Sequence, residues 1–170
     1  MSWSDDPPQG RKASFAAHVT PATRLLVLGS LPGEASLAAQ QYYAHPRNRF
    51  WHLMGHVLGE DLVAMRYEDR LAVLERRRVG LWDAVASAVR PGSLDTAIRE
   101  HVPNPLADLA ARLPDLQAVA CNGQKAAQIA ARELAASGVP VIPLPSSSPV
   151  HAAMPWSEKQ RRWEELRRFL

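Results

Sequence analysis

Apolar residues along the chain follow two periodicities. Apolar runs at 25–28, 79–82, 116–121 and 139–144 have the length of buried strands. Between them, apolar positions recur at helical spacing. Phe50, Trp51, Leu53, Met54, Val57 and Leu58 predict one helix, with Gly59 as its stop. Leu71, Val73 and Leu74 predict a short helix ahead of the basic triplet Arg76-Arg77-Arg78. Two more are expected at 105–113 and 124–136, the second ended by Gly138. A last helix is expected to begin with Ser157 as N-cap and Gln160 at the capping-box position, with Trp163, Leu166 and Phe169 on one side. Strands alternating with helices imply right-handed crossovers and a parallel sheet. The expected fold is therefore α/β, a three-layer α/β/α sandwich around a four-stranded parallel sheet. Residues 1–21 show little periodicity and predict a partly ordered lead-in docked by Phe15 and Val19; 22–170 form a single domain without internal repeats.

Composition narrows the function classes. At 170 residues with 46% hydrophobic content, the chain can build one real core. A net charge of +3 is a mild basic excess, compatible with a polyanionic partner. Arginine dominates that charge, a bias that genome composition explains as well as phosphate binding does. The single cysteine, Cys121, lies in an apolar run and predicts a buried, inert thiol. It excludes a disulfide framework and any multi-cysteine zinc or iron–sulfur site, so neither metal nor cofactor is expected. No apolar stretch has membrane-spanning length, and Asp5 and Asp6 interrupt any signal core, which predicts a cytoplasmic protein.

In open parallel sheets, ligands bind beyond the carboxyl ends of the strands. The first strand runs into Gly29-Ser30-Leu31-Pro32-Gly33 and the second into Asp83, with Arg90, Ser93 and Asp95 beyond. The third ends at Asn122-Gly123 and the fourth at Ser146-Ser147-Ser148-Pro149-Val150-His151. Polar and Gly/Pro-rich clusters thus gather at one edge, although loops at the other edge are polar too. The glycine turn lacks the Lys-Ser/Thr of a P-loop and the third glycine of a dinucleotide fingerprint. The segment Gln41-Tyr42-Tyr43-Ala44-His45-Pro46-Arg47-Asn48-Arg49-Phe50-Trp51 is more distinctive. Its tyrosines offer faces for a base, and Asn48 stands where a helix begins, as a cap, a catalytic group, or both.

At these residues the chain resembles the uracil-DNA glycosylase superfamily. The turn at 29–33, Gln41-Tyr42-Tyr43, His45-Pro46-x-Asn48-x-Phe50-Trp51, Arg90-x-Gly92-Ser93-Leu94-Asp95, Asn122-Gly123 and Ser146-Ser147-Ser148-Pro149 are most similar, in order, to its hypoxanthine-DNA glycosylase (DNA-deoxyinosine glycosylase) family. The likeness spans about 14–170. Mismatch-specific uracil enzymes carry a water-orienting asparagine where this chain has Leu31. The hypoxanthine family lacks it as well, and the resemblance puts the catalytic asparagine at Asn48. His151 departs from the small or amide residue of the final motif.

The resemblance implies a monofunctional glycosylase of base excision repair, acting on double- or single-stranded DNA as a nucleoid-associated monomer. The base leaves the stack and lies on Tyr42 or Tyr43. Asn48 holds a water through its carbonyl oxygen, and Asn122 reads the Watson–Crick edge unless it is only a turn residue. Backbone N–H groups of Gly29, Ser30, Leu31, Pro32 and Gly33 line the leaving base; proline contributes only shape. Ser146, Ser147, Ser148, Pro149, Val150 and His151 grip DNA, with Val150 or Met154 as a wedge. No lysine is expected at the strand ends, which argues against a Schiff-base lyase step. Three alternatives stand beside this: a uracil-cutting enzyme, a catalytically weak damaged-DNA-binding domain, and an α/β hydrolase, for which the Gly-x-Ser-x-Gly elbow is missing.

Overall fold

The computed structural model describes residues 10–170, so positions 1–9 of the expected lead-in lie outside the described residues. In chain order the elements are β1 (Arg11–Ala13), β2 (Leu25–Gly29), α1 (Glu34–Ala39), α2 (Phe50–Leu58), α3 (Tyr67–Arg76), β3 (Val79–Asp83), β4 (Val85–Val89), β5 (Arg99–Pro103), α4 (Leu106–Ala111), β6 (Ala118–Asn122), α5 (Gln124–Glu133), β7 (Val141–Leu144) and α6 (Trp156–Glu164). A four-stranded sheet has the order β3-β2-β6-β7, and every pairing in it is parallel. Alternation along β2 explains the layers. Leu25 and Val27 join Phe50, Leu53, Leu74 and Trp163 in one core, whereas Leu26 and Leu28 join Leu106, Ile129 and Ala130 in the other. With both faces covered, the strands are apolar throughout rather than alternating.

The sequence pattern does not reveal a second, antiparallel sheet of order β1-β4-β5. Its strands lack long apolar runs: β5 reads Arg-Glu-His-Val-Pro, and β4 follows β3 after Ala84 alone. Through β1, part of the 1–21 segment is ordered, and His18 exchanges backbone hydrogen bonds with Leu81. Phe15 and Val19 pack against the two cores. Gly59 ends α2 in the left-handed region, φ 69°, as its sequence position predicts. Ser157 does not cap the last helix. Pro155 stands in the N-cap position, two residues earlier, and no side chain caps α6. Trp163 and Leu166 are fully buried.

Candidate active site

The carboxyl ends of the parallel strands open into a cavity of about 810 Å³. Gly29, Ser30, Leu31, Pro32, Gly33, Tyr42, Tyr43, Asn48, Asn122, Ser146, Ser147, Ser148, Pro149, Val150 and His151 all contribute to its wall. The basic triplet lies elsewhere, around a second cavity that includes Arg24, and Arg76 and Arg77 pair there with Glu60.

A directed hydrogen-bond relay joins three loops. The Ser147 N–H donates to Asn122 Oδ1 (2.8 Å), which leaves Asn122 Nδ2 to donate to Ser147 Oγ (2.8 Å). Ser147 Oγ in turn donates to Asn48 Oδ1 at 2.8 Å. Asn48 Oδ1 also accepts the Phe50 N–H at 2.9 Å, at the entry to α2. Backbone donors at both ends fix each amide's orientation, since flipping either would set N–H against N–H. Asn48 therefore serves the helix start, with Arg49 in the cap position. Both lone pairs of its carbonyl oxygen are taken, so the expectation that this oxygen faces the water does not hold. The group left for the cavity is its NH2.

The two tyrosines differ. Tyr42 is buried, its ring edge-on to Phe15 at 5.2 Å, and its hydroxyl donates to Ala16 O at 2.9 Å. That commits Tyr42 to the core, and Tyr43 is the more exposed of the two rings. Tyr43 stacks on fully buried Phe50 with centroids 3.8 Å apart and also lines the cavity. Burial, reinforced by Asp83 nearby, raises the Tyr43 phenol well above its usual range and keeps it neutral.

Charged side chains to which the sequence assigns no role shape both loops. Arg90, 1% exposed, donates to Leu31 O, Pro32 O and Gly92 O at 3.1, 2.6 and 2.9 Å. Gly29 O and Ser30 O accept from Ala84 and Val85, and Gly33 O accepts from Leu37. With these carbonyls engaged, the turn's remaining backbone polar groups are the N–H groups of Ser30, Leu31 and Gly33. Ser30 Oγ is spent on Asp95. Lys159, buried on α6, likewise donates to Ser146 O (2.7 Å) and His151 O (2.8 Å), bracketing the serine loop. Trp163 Nε1 holds Pro145 O at 2.9 Å, and the Arg49 N–H holds Ser147 O at 3.0 Å. Val150 projects at 71% exposure, and His151 is exposed.

Lysine is present at this edge after all. Lys125, in the first turn of α5, lines the cavity, where the sequence expectation had none. At the floor, burial first and Asp95 second raise Asp83 to about 7, against the lowering effect of Arg90. A carboxylate directly after a wholly buried strand was the available sequence signal for Asp83; Arg90 and Lys159 gave none beyond the former's place in a matched motif. Gly123 has φ 102°, a conformation that favours glycine, and lets the chain turn from β6 into α5 beside Ser146. Cys121 is fully buried, and burial pushes its thiol up to about 12.

No helix among the described residues is long and apolar enough to cross a membrane. The family model of the uracil DNA glycosylase superfamily matches residues 16–167. A hypoxanthine DNA glycosylase of Methanosarcina acetivorans is 37% identical over 155 residues, 91% of this chain and 97% of that protein. Its namesake from Methanosarcina barkeri is 40% identical over 118 residues, 69% of this chain and 75% of that protein. The solution NMR structure of a Methanosarcina acetivorans protein proposed to be a uracil DNA glycosylase superposes with a TM-score of 0.84 at 36% identity, covering 94% of this chain and 98% of that one. The chain belongs to the uracil DNA glycosylase superfamily, within its hypoxanthine DNA glycosylase family, and is a DNA glycosylase.

Proposed function

We propose that this glycosylase removes hypoxanthine from deoxyinosine in DNA, with water as the nucleophile and no lyase step, working as a monomer on the nucleoid. The observation that carries it is the relay Asn122–Ser147–Asn48, which holds one amide rigidly beside the Tyr43 face. Hypoxanthine pairs poorly, which lowers the few kcal/mol needed to unstack it. The extruded purine lies on Tyr43. Its glycosidic bond lengthens toward an oxocarbenium-like sugar, and the electron pair passes to the base. Along such a path the water needs placement more than deprotonation. An Asn48 N–H placing the water through its oxygen leaves that oxygen's second lone pair free for the sugar carbon. N–H groups of the turn fixed by Arg90 stabilise charge on the departing base.

Ser146, Ser148, Pro149 and His151 lie where they would position the backbone, and exposed Val150 is the side chain suited to fill the vacated stack. Lys159 is committed to two carbonyls, and Lys125 lines the cavity without taking part in the relay. Matched duplexes carrying deoxyinosine or deoxyuridine test the base assignment. Faster release of hypoxanthine is expected; faster release of uracil would reassign the substrate.

A further inference from the structure

One acidic side chain in the cavity has no place in the mechanism above. Asp83, at the end of β3, is 3% exposed. A Cβ on Gly29 would stand 2.6 Å from Asp83 Oδ1 and 3.0 Å from the Tyr43 hydroxyl, so carboxyl and phenol converge where that glycine leaves room. Asp83 Oδ2 and the Tyr43 hydroxyl are buried without a hydrogen-bond partner among the described residues. The surrounding polar groups are engaged elsewhere. Arg90 holds backbone carbonyls, Asn122 is tied through both side-chain atoms to Ser147 with its remaining N–H toward Tyr43, and Asn104 donates to the backbone oxygen of Asp83 rather than to its carboxyl. A buried carboxyl oxygen left unpaired costs stability, and its persistence at Asp83 in a cavity wall points to a ligand that pairs with it.

Resting on the functional reading above, we propose that Asp83 is the base-reading acid of this site. As a neutral carboxylic acid it donates its O–H to O6 of the extruded hypoxanthine and accepts N1–H on its other oxygen. Because the carboxyl and the Tyr43 hydroxyl meet at Gly29, a purine lying on Tyr43 with its sugar toward Asn48 would turn its far edge toward Asp83. The N9–C1′ bond breaks, its electron pair enters the purine, and part of that charge settles on O6. The O–H bond to O6 strengthens as the charge grows, and the proton stays on Asp83 throughout. An ionised carboxylate would instead repel both O6 and the departing anion. The titratable groups facing Asp83 are Tyr42, Tyr43, Asp95 and Arg90. Burial and Asp95 favour its neutral form, and Arg90 opposes them.

The test is single-turnover hypoxanthine release from a deoxyinosine duplex between pH 5.5 and 9, with wild type, Asp83→Asn and Asp83→Ala. Wild type is expected to slow above neutrality, approaching about tenfold per pH unit as the acid ionises. Asp83→Asn keeps a neutral donor and acceptor; it should stay within about tenfold of wild type at pH 6 and lose that high-pH fall. Asp83→Ala should be slower by roughly a hundredfold at pH 6. A high-pH fall that persists in Asp83→Asn, or full-rate Asp83→Ala, overturns the role of Asp83 while leaving the substrate assignment standing. A wild type that releases no hypoxanthine removes both.

Discussion

Ser147 gives its hydroxyl proton to Asn48 Oδ1 across 2.8 Å and 99 residues of chain. This bond joins the loop after β7 to the start of α2, and it exists because Asn122 has already fixed Ser147 from the other side. Ser147→Ala removes the link and leaves the Asn122 amide buried with a lost acceptor. A loss of about 1–3 kcal/mol in stability is expected, read from denaturant melts. Base release should fall roughly 10- to 100-fold in single-turnover assays, since misplacement by about 1 Å can cost that much. An unchanged rate would show that Asn48 needs no such support.

Tyr43 is the stacking ring in this account, and Tyr42 a core residue. Tyr43→Ala should weaken binding of a non-cleavable deoxyinosine duplex by about 1–3 kcal/mol, the usual worth of one base on an aromatic face. Tyr43→Phe should keep that affinity, because the phenyl face remains and the lost hydroxyl has no protein partner. Fluorescence anisotropy measures both. Equal affinity for wild type and Tyr43→Ala would remove the stacking role.

Lys159 acts on DNA at second hand, through the loop carbonyls it ties down. Lys159→Met keeps the buried stem and deletes both bonds, at a cost of about 2 kcal/mol in stability. DNA affinity should also fall, with little change in its salt slope, because this ammonium is spent inside the fold rather than on phosphate. A salt slope lower by about one unit would make it a direct phosphate contact.

Asp83 also predicts a pH dependence of folding. Its folded value of about 7 lies above the ordinary 3.8, so its contribution is fully present below the ordinary value and is lost as pH rises toward 7. Asp83→Asn removes that loss. Its stability relative to wild type should therefore grow between pH 4 and 7 by on the order of a few kcal/mol, then level off. Thermal melts across this range read the difference. A constant offset would mean the carboxyl ionises as freely in the fold as in the unfolded chain.

The parallel sheet was legible because apolar strands buried on both faces leave uninterrupted runs, as at 25–28 and 118–121. The antiparallel sheet was not, since β5 is mostly polar and β1 spans Arg11–Ala13. The wall of the cavity could be listed from strand ends, yet no spacing shows which way an amide points. Only the Phe50 N–H and Ser147 contacts turn the Asn48 oxygen inward. Arg90 stands in a matched motif, but neither its role nor that of Lys159 can be read in one dimension. Apart from Gly92 O, held by Arg90 two residues on, their partners are carbonyls 58–59 and 8–13 residues away, which no local pattern encodes.

The measurement closest to the central claim is hypoxanthine release from a deoxyinosine duplex by wild type and Asn48→Ala under single-turnover conditions, with both confirmed as folded by melting. The account predicts a loss of about a hundredfold or more for Asn48→Ala, with damaged-DNA binding largely retained. Equal rates for the two proteins would contradict it.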